Sequence, residues 1–142
     1  MKSAVFAFAT MMVLGFSASA ESAYARECRI NGGRQWAVSM SSQFDTSLCL
    51  FGSAAIGAGD FAEYKWGHGT ALSIQSFVNQ TSHLPNNNGV CDTVGAFYNT
   101  AVDSAGKTWN LCSFVDGSVI EVGTLAGGVS SSKNARLARA LQ

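Results

Sequence analysis

Four cysteines constrain this 142-residue chain more than any other feature of it. Cys28 precedes Cys49 by 21 positions, and Cys91 precedes Cys112 by the same 21. Four positions after each first cysteine stands a pair of small residues, Gly32-Gly33 and Gly95-Ala96. Each second cysteine has Leu before it (Leu48, Leu111) and Phe two positions after it (Phe51, Phe114). The stretches 27–60 and 89–123 therefore read as two copies of one unit. Four cysteines allow three pairings. The duplication favours Cys28–Cys49 and Cys91–Cys112; a cross-copy pairing that staples the halves together is the alternative. Each within-copy bridge would close a loop of about 22 residues and remove on the order of 3 kcal/mol of unfolded-chain entropy.

The start of the chain reads as a secretory signal. Lys2 supplies the positive charge, Ala4 to Phe16 the apolar run, and Ala18-Ser19-Ala20 a small-x-small cleavage site. Residues 1–20 are thus expected to be removed, with Ala23-Tyr24-Ala25 as a second cleavage site. The run is too short for a comfortable membrane span, and no second apolar span follows it. The expected product is secreted or periplasmic, in an oxidising compartment where disulfides are the default. It divides into one domain over 21–128 and a polar, basic tail over 129–142. Without Lys2, eight basic and nine acidic side chains remain. That balance supplies no field for nucleic acid or anionic membranes.

Alternation marks Arg34 to Met40 as a strand with Trp36, Val38 and Met40 on one face, and Thr46 to Phe51 as its return. Ser22 to Ile30 is expected to be helical, ending at Gly32. Gly52 to Gly59 looks irregular, and Phe61 to Trp66 fits strand or helix equally. Thr70 to Gln80 has a helical apolar side, and Asn86 to Gly89 is the joint between the halves. Phe97 to Val102 and Thr108 to Val115 form a second strand pair, and Asp116-Gly117 turns into a third strand from Ser118. The tail after Gly128 is expected to fray, with a short docked helix through Leu137 and Leu141 as the alternative. Neither half can bury a sufficient core alone. The fold class is therefore α+β: two related β-hairpin units forming an antiparallel sheet or paired sheets, with short helices on one face and disulfide staples.

The second copy resembles a short exported bacterial cysteine-containing domain of unknown function, often given a hemolysin label. Pro85, Cys91, Gly95, Cys112, Phe114, Asp116, Gly117, Ser118 and Glu121 follow that domain's order. The first copy matches at Cys28, Gly32, Gly33, Cys49 and Phe51. Ile120 stands where the family has a later cysteine, Ala96 replaces its second glycine, and no Trp follows Glu121. The shared motifs are turn and disulfide chemistry, so the resemblance implies a fold and no reaction. No amphipathic basic helix supports membrane lysis.

Candidate chemistry is sparse. Gly67-His68-Gly69-Thr70 looks like the histidine segment of subtilisin-like proteases, but the matching nucleophile segment is absent and the chain is too short. His68 and His83 read as solvated loop residues, and no catalytic residue is assigned. Neither histidine lies near a cysteine, there is no Cys-x-x-Cys, and no run of alternating carboxylates suits calcium. No metal and no cofactor is implied. Asp45, Asp103 and Asp116 sit in turns, where an Asp bonds its own backbone. Most aromatics should be core, Trp109 among them; Trp66, beside Gly67 and Gly69, should be exposed. The expected function is a non-enzymatic binding module for an unknown protein or glycan of the cell envelope, with Trp66, Asp116, Gly117 and Ser118 as candidate contacts. A small hydrolase using His68 and a purely structural envelope protein are the alternatives.

Overall fold

The computed structural model describes residues 21–40, 45–81 and 83–142. The signal sequence expected over 1–20, and the body of the turn expected after Met40, lie outside those residues.

The first helix, α1 (Ala23–Ile30), is capped by Ser22, whose hydroxyl accepts from the Ala25 N–H at 3.1 Å. It ends where Gly32 takes a φ of +94°, a conformation glycine adopts without steric cost. Three strands follow: β1 (Arg34–Met40), β2 (Asp45–Phe51) and β3 (Ala54–Gly57). Two helices, α2 (Ala58–Lys65) and α3 (Leu72–Asn79), complete the first half. The second half runs α4 (Gly89–Thr93), β4 (Phe97–Asp103), β5 (Thr108–Ser113), β6 (Val119–Glu121) and α5 (Val122–Gly127). A 3-10 turn, Ser132–Asn134, leads into α6 (Ala135–Ala140).

All strand pairs are antiparallel, as expected, but the sheet is neither open nor split. It closes into a barrel in the order β1-β2-β3-β6-β5-β4. Closure rests on β3 meeting β6 at Ile56↔Ile120 and β1 meeting β4 from Val38↔Asp103 to Met40↔Ala101. The stretch expected to be irregular contains β3, whose four residues are all buried. A strand covered on both faces shows no polar alternation, so its sequence lacked the pattern of a half-exposed strand. The following segment, open between strand and helix, is helix α2.

Two apolar clusters sit on opposite faces of the barrel wall. The inner one contains Val38, Leu48, Ala55, Ala101, Trp109, Leu111 and Val119, with Trp36, Met40 and Leu50 against it; every member comes from a strand. The outer one joins the strands to the helices through Phe51, Ile56, Phe61, Phe77, Ile120 and Leu125, among others. Both disulfides lie in this outer layer. Cys28–Cys49 ties α1 to β2, and Cys91–Cys112 ties α4 to β5, so the within-copy pairing is the observed one. The tail does not fray. Leu137 and Leu141 enter the outer core, and Tyr64 donates its hydroxyl to the Leu141 carbonyl at 2.9 Å.

The pairing registers of the two hairpins match. Gln35 faces Cys49 as Tyr98 faces Cys112, and Leu48 faces Gly57 as Leu111 faces Glu121. The β1–β4 seam, centred on Ser39↔Val102, pairs Val38 with Asp103 and Met40 with Ala101. Each inward position near one mouth of the barrel therefore has a counterpart near the other.

A tryptophan-lined barrel mouth

Around one mouth the inward positions carry Arg34 and Trp36 from β1, Asp103 from β4, Trp109 from β5 and Glu121 from β6. With the Gly52-Ser53 turn and Lys107 they line a concavity of about 430 Å3. Their counterparts by register are Phe97, Asn99, Met40, Thr46 and Gly57. Beside Thr46 and Gly57 lie the carboxylates Asp45 and Asp60, with no tryptophan and no cation among the described residues. The cluster on the first side is extra chemistry.

Asp103 organises it. Oδ2 accepts the indole N–H of Trp36 at 2.9 Å and that of Trp109 at 3.1 Å. Oδ1 accepts the backbone N–H groups of Ala105 and Lys107, each at 2.9 Å. The turn role expected for Asp103 is therefore met by one oxygen, while the other holds two tryptophans from different strands. The indole N–H bonds, Trp36 first, together with the two backbone bonds, hold its carboxyl well down, to about 2, against the opposing effect of burial. Its negative charge is fixed at any ordinary pH.

Glu121 is equally occupied. Its carboxylate accepts from the Gly123 and Thr124 N–H groups at 2.8 Å and from the Thr124 hydroxyl at 2.7 Å, capping α5. That hydroxyl in turn accepts the Ala55 N–H of β3 at 3.0 Å. The cations are held differently. The Arg34 guanidinium lies 4.8 Å over the Trp36 ring, and the Lys107 ammonium lies 4.0 Å over the Trp109 ring. A ring face orients a cation without neutralising it. Among the described residues the ion pairs are Arg29–Glu21 and His68–Glu63, so neither cation of the mouth has a carboxylate partner. The groups left for a ligand are two oriented cations and the hydroxyls of Ser53 and Thr108 along the rim, since Asn110 Oδ1 already accepts the Tyr98 hydroxyl at 2.6 Å.

The residues singled out from sequence lie elsewhere. Trp66 is exposed at 37%, donates to Glu27 at 2.8 Å, and makes tilted ring contacts with Tyr24 and His68 at 5.8 Å between centroids. Asp116, Gly117 and Ser118 form the β5–β6 turn, with Gly117 at φ +88°. Asp116 accepts the Leu72 N–H, and Ser118 Oγ accepts the Ser73 N–H, so this turn supplies the cap that α3 lacks in its own sequence. Burial raises the Asp116 carboxyl, but its hydrogen bonds outweigh this and leave it below the usual range. Ser118 is buried, whereas Asp116 and Gly117 are exposed.

His68 is not a solitary loop histidine. Nδ1 lies 2.7 Å from Glu63 Oε1, and both side chains are substantially exposed. No hydroxyl or thiol is hydrogen-bonded to its ring among the described residues. His83 is exposed. Asp45 begins β2 and accepts from Ser39 Oγ across the hairpin at 2.9 Å. Among aromatics expected mostly in the core, Phe97 and Tyr98 are exceptions, exposed at 64% and 37%. No group of three or more metal-ligating side chains converges among the described residues.

Sequence reasoning placed Trp36 and Trp109 on strands but missed that they share an acceptor. The available signal was a charge at an inward alternation position: Asp103 and Glu121 both close strands whose other inward residues are largely apolar.

No family model matches the chain, and no curated protein or solved structure is similar to it.

Proposed function

We propose that the protein is an exported binding module whose site is the mouth around Trp36, Asp103 and Trp109. The two disulfides suit an oxidising compartment, and no helix among the described residues is long and apolar enough to cross a membrane. The two halves are read as copies of one duplicated unit, related to the exported hemolysin-labelled domain through its turn and disulfide residues. One observation carries the binding reading. At one mouth, two tryptophans, two unpaired cations and two carboxylates converge, where register-matched positions of the other mouth carry Phe, Asn, Met, Thr and Gly. Asp103 fixes both indoles, so little ordering remains to be done when a ligand arrives. The ligand is a polar component of the envelope, of the size of a sugar ring or a protein side-chain cluster.

Tryptophan fluorescence tests this directly. In a Trp66→Phe background the remaining tryptophans are Trp36 and Trp109, both at the site. Titration with saccharides and envelope peptides should change their emission, and Arg34→Gln should abolish the change. Absence of any saturable response across the panel would sink the reading. A response that survives Trp36→Phe but disappears with Trp66→Phe would move the site to the Trp66 face.

A second reading is a hydrolase with His68 as general base. The 2.7 Å contact with Glu63 favours it, since a carboxylate at that distance orients the imidazole. It requires a bound water or substrate hydroxyl as nucleophile. Unchanged turnover of ester and glycoside substrates in His68→Ala would remove it.

A further inference from the structure

Across the Gly52 turn from the mouth lies a second basic concavity. That one, about 530 Å3, is lined by Lys65, Arg136 and Arg139 beside the end of α1. Arg136 joins the two. Its Nη2 donates to the Gly32 carbonyl at 2.7 Å, on the wall of the second concavity. Its Nη1 lies 3.6 Å from where a side chain on Gly52 would begin, and Gly52 borders the mouth. Gly52 has a φ of +67°, and its lack of a side chain lets Arg136 lie close against the turn. Five of the eight basic side chains among the described residues line these concavities, but only two of the nine acidic ones do. Those two, Asp103 and Glu121, keep their negative charge, but their oxygens are taken up by the chain's own N–H and hydroxyl groups. A chain of nearly zero net charge therefore gathers most of its basic side chains along these two concavities, although Lys65 already donates to the Ala140 and Gln142 carbonyls at 2.8 and 3.2 Å.

From this strip we infer the ligand's chemistry: an acidic polysaccharide, with one charged ring seated at Arg34, Trp36 and Lys107 and the next acidic groups on Arg136 and Arg139. The inference rests on the binding reading above and extends it. A guanidinium pairs with a planar carboxylate through two parallel N–H bonds. The ring hydroxyls meet Ser53 and Thr108 at the rim, and the half-buried indole of Trp36 supplies the apolar wall a sugar face requires. A nucleic acid would ask for exposed aromatic platforms for successive bases. Along this strip Trp109 is buried at 8% exposure and its ring lies beside Lys107. A single sugar unit fits the mouth alone; the second concavity has a use only for a polymer.

The experiment compares polygalacturonate, galacturonate, dextran sulfate and neutral dextran against the oxidised Trp66→Phe protein, by fluorescence titration at low and high salt. Polygalacturonate should bind with strong salt sensitivity. Arg136→Gln with Arg139→Gln should weaken it about tenfold or more while leaving galacturonate affinity unchanged. Arg34→Gln should weaken both ligands. Circular dichroism and the Arg139→Gln single variant guard against loss through misfolding, since Arg139 has an exposed side chain. Polymer binding indifferent to the double variant confines recognition to the mouth and overturns the strip, with the binding module intact. Equal binding of neutral dextran overturns the acidic ligand and again spares the module. Preference for dextran sulfate assigns sulfate in place of carboxylate as the acidic group. Failure of every saccharide overturns the inference, and the peptide arm of the earlier titration then decides the module separately.

Discussion

Trp36 on β1 donates its indole N–H to Asp103 on β4 at 2.9 Å, across the strand pair that closes the barrel. The bond joins residues 67 positions apart. It ties the geometry of the mouth to the integrity of the seam. Replacing Trp36 by Phe keeps most of the ring and removes the donor. Loss of a hydrogen bond to a charged acceptor is expected to cost about 1.5–3 kcal/mol, toward the lower end for a half-buried pair. Urea denaturation should show the midpoint shifting at constant slope.

The pH dependence of that seam follows from the Asp103 carboxyl, which titrates at about 2 when folded and near 3.9 when unfolded. Its contribution is complete above the unfolded value and is lost as pH falls through the folded one. Stability should therefore decline between about pH 4 and pH 2 by more in the wild type than in Asp103→Asn. Acid titration of the folded fraction, followed by tryptophan emission, measures this; equal acid profiles would remove Asp103 from the account.

Asp60 should behave in the opposite sense. It is partly buried at the start of α2, accepting the Val119 N–H at 3.0 Å, and burial pushes its carboxyl up to about 6. The Val119 bond lowers it and the nearby Asp116 charge raises it, both by less than burial does. A raised folded value means no penalty below about pH 4 and a growing one up to about pH 6, on the order of 2 kcal/mol above that. Asp60→Asn retains a carbonyl oxygen for Val119 and cannot ionise. It should be the more stable protein at pH 7 and the equal of wild type near pH 4. Thermal melts at the two pH values decide the point.

Gly33 packs directly on the first disulfide. A Cβ there would lie 2.7 Å from Cys49 Sγ and 2.9 Å from Cys28 Sγ. Ala96, at the corresponding place before β4, carries its methyl in a buried position at 4% exposure. Gly33→Ala should cost about 1–3 kcal/mol by overpacking. Ala96→Gly should cost about 1 kcal/mol, through one lost buried methyl and a looser backbone. Comparable melting temperatures for Gly33→Ala and wild type, both oxidised, would show that the bridge shifts without strain.

Ser118→Ala removes the acceptor of the Ser73 N–H, and Asp116→Ala that of Leu72. Each should cost about 1 kcal/mol as a lost helix cap, with faster amide exchange confined to the first turn of α3. Ligand-induced emission from Trp36 should be unaffected, because neither residue borders the mouth. Loss of binding with stability unchanged would return the Asp116-Gly117-Ser118 turn to the binding surface.

Local chemistry made much of this fold legible. The Asp116-Gly117 turn, the Ser22 cap and the two strand pairs each announce themselves within a few residues. Closure does not, because β3 is Ala-Ala-Ile-Gly, buried on both faces, and its meeting with β6 is a single pair of isoleucines. The helix α4 was hidden for another reason: five residues beginning with Gly89 carry no periodic signal, and Cys91–Cys112 anchors them to the sheet. At the site, Asp103 was readable as a turn residue because Oδ1 serves its own loop. Its partnership with Trp36 and Trp109 was not, since barrel register alone brings those three strands together. Leu137 and Leu141 had the spacing to dock, yet only the outer core shows what they dock on.

Each disulfide joins cysteines that are neighbours in chain order, and the two bridges do not interleave. For a chain delivered N-terminus first into an oxidising space, Cys28 and Cys49 emerge together before Cys91 and Cys112 are available. The nearest thiol is then always the right one. Oxidation during delivery yields the native connectivity by default, and thiol exchange has no wrong bridge to undo.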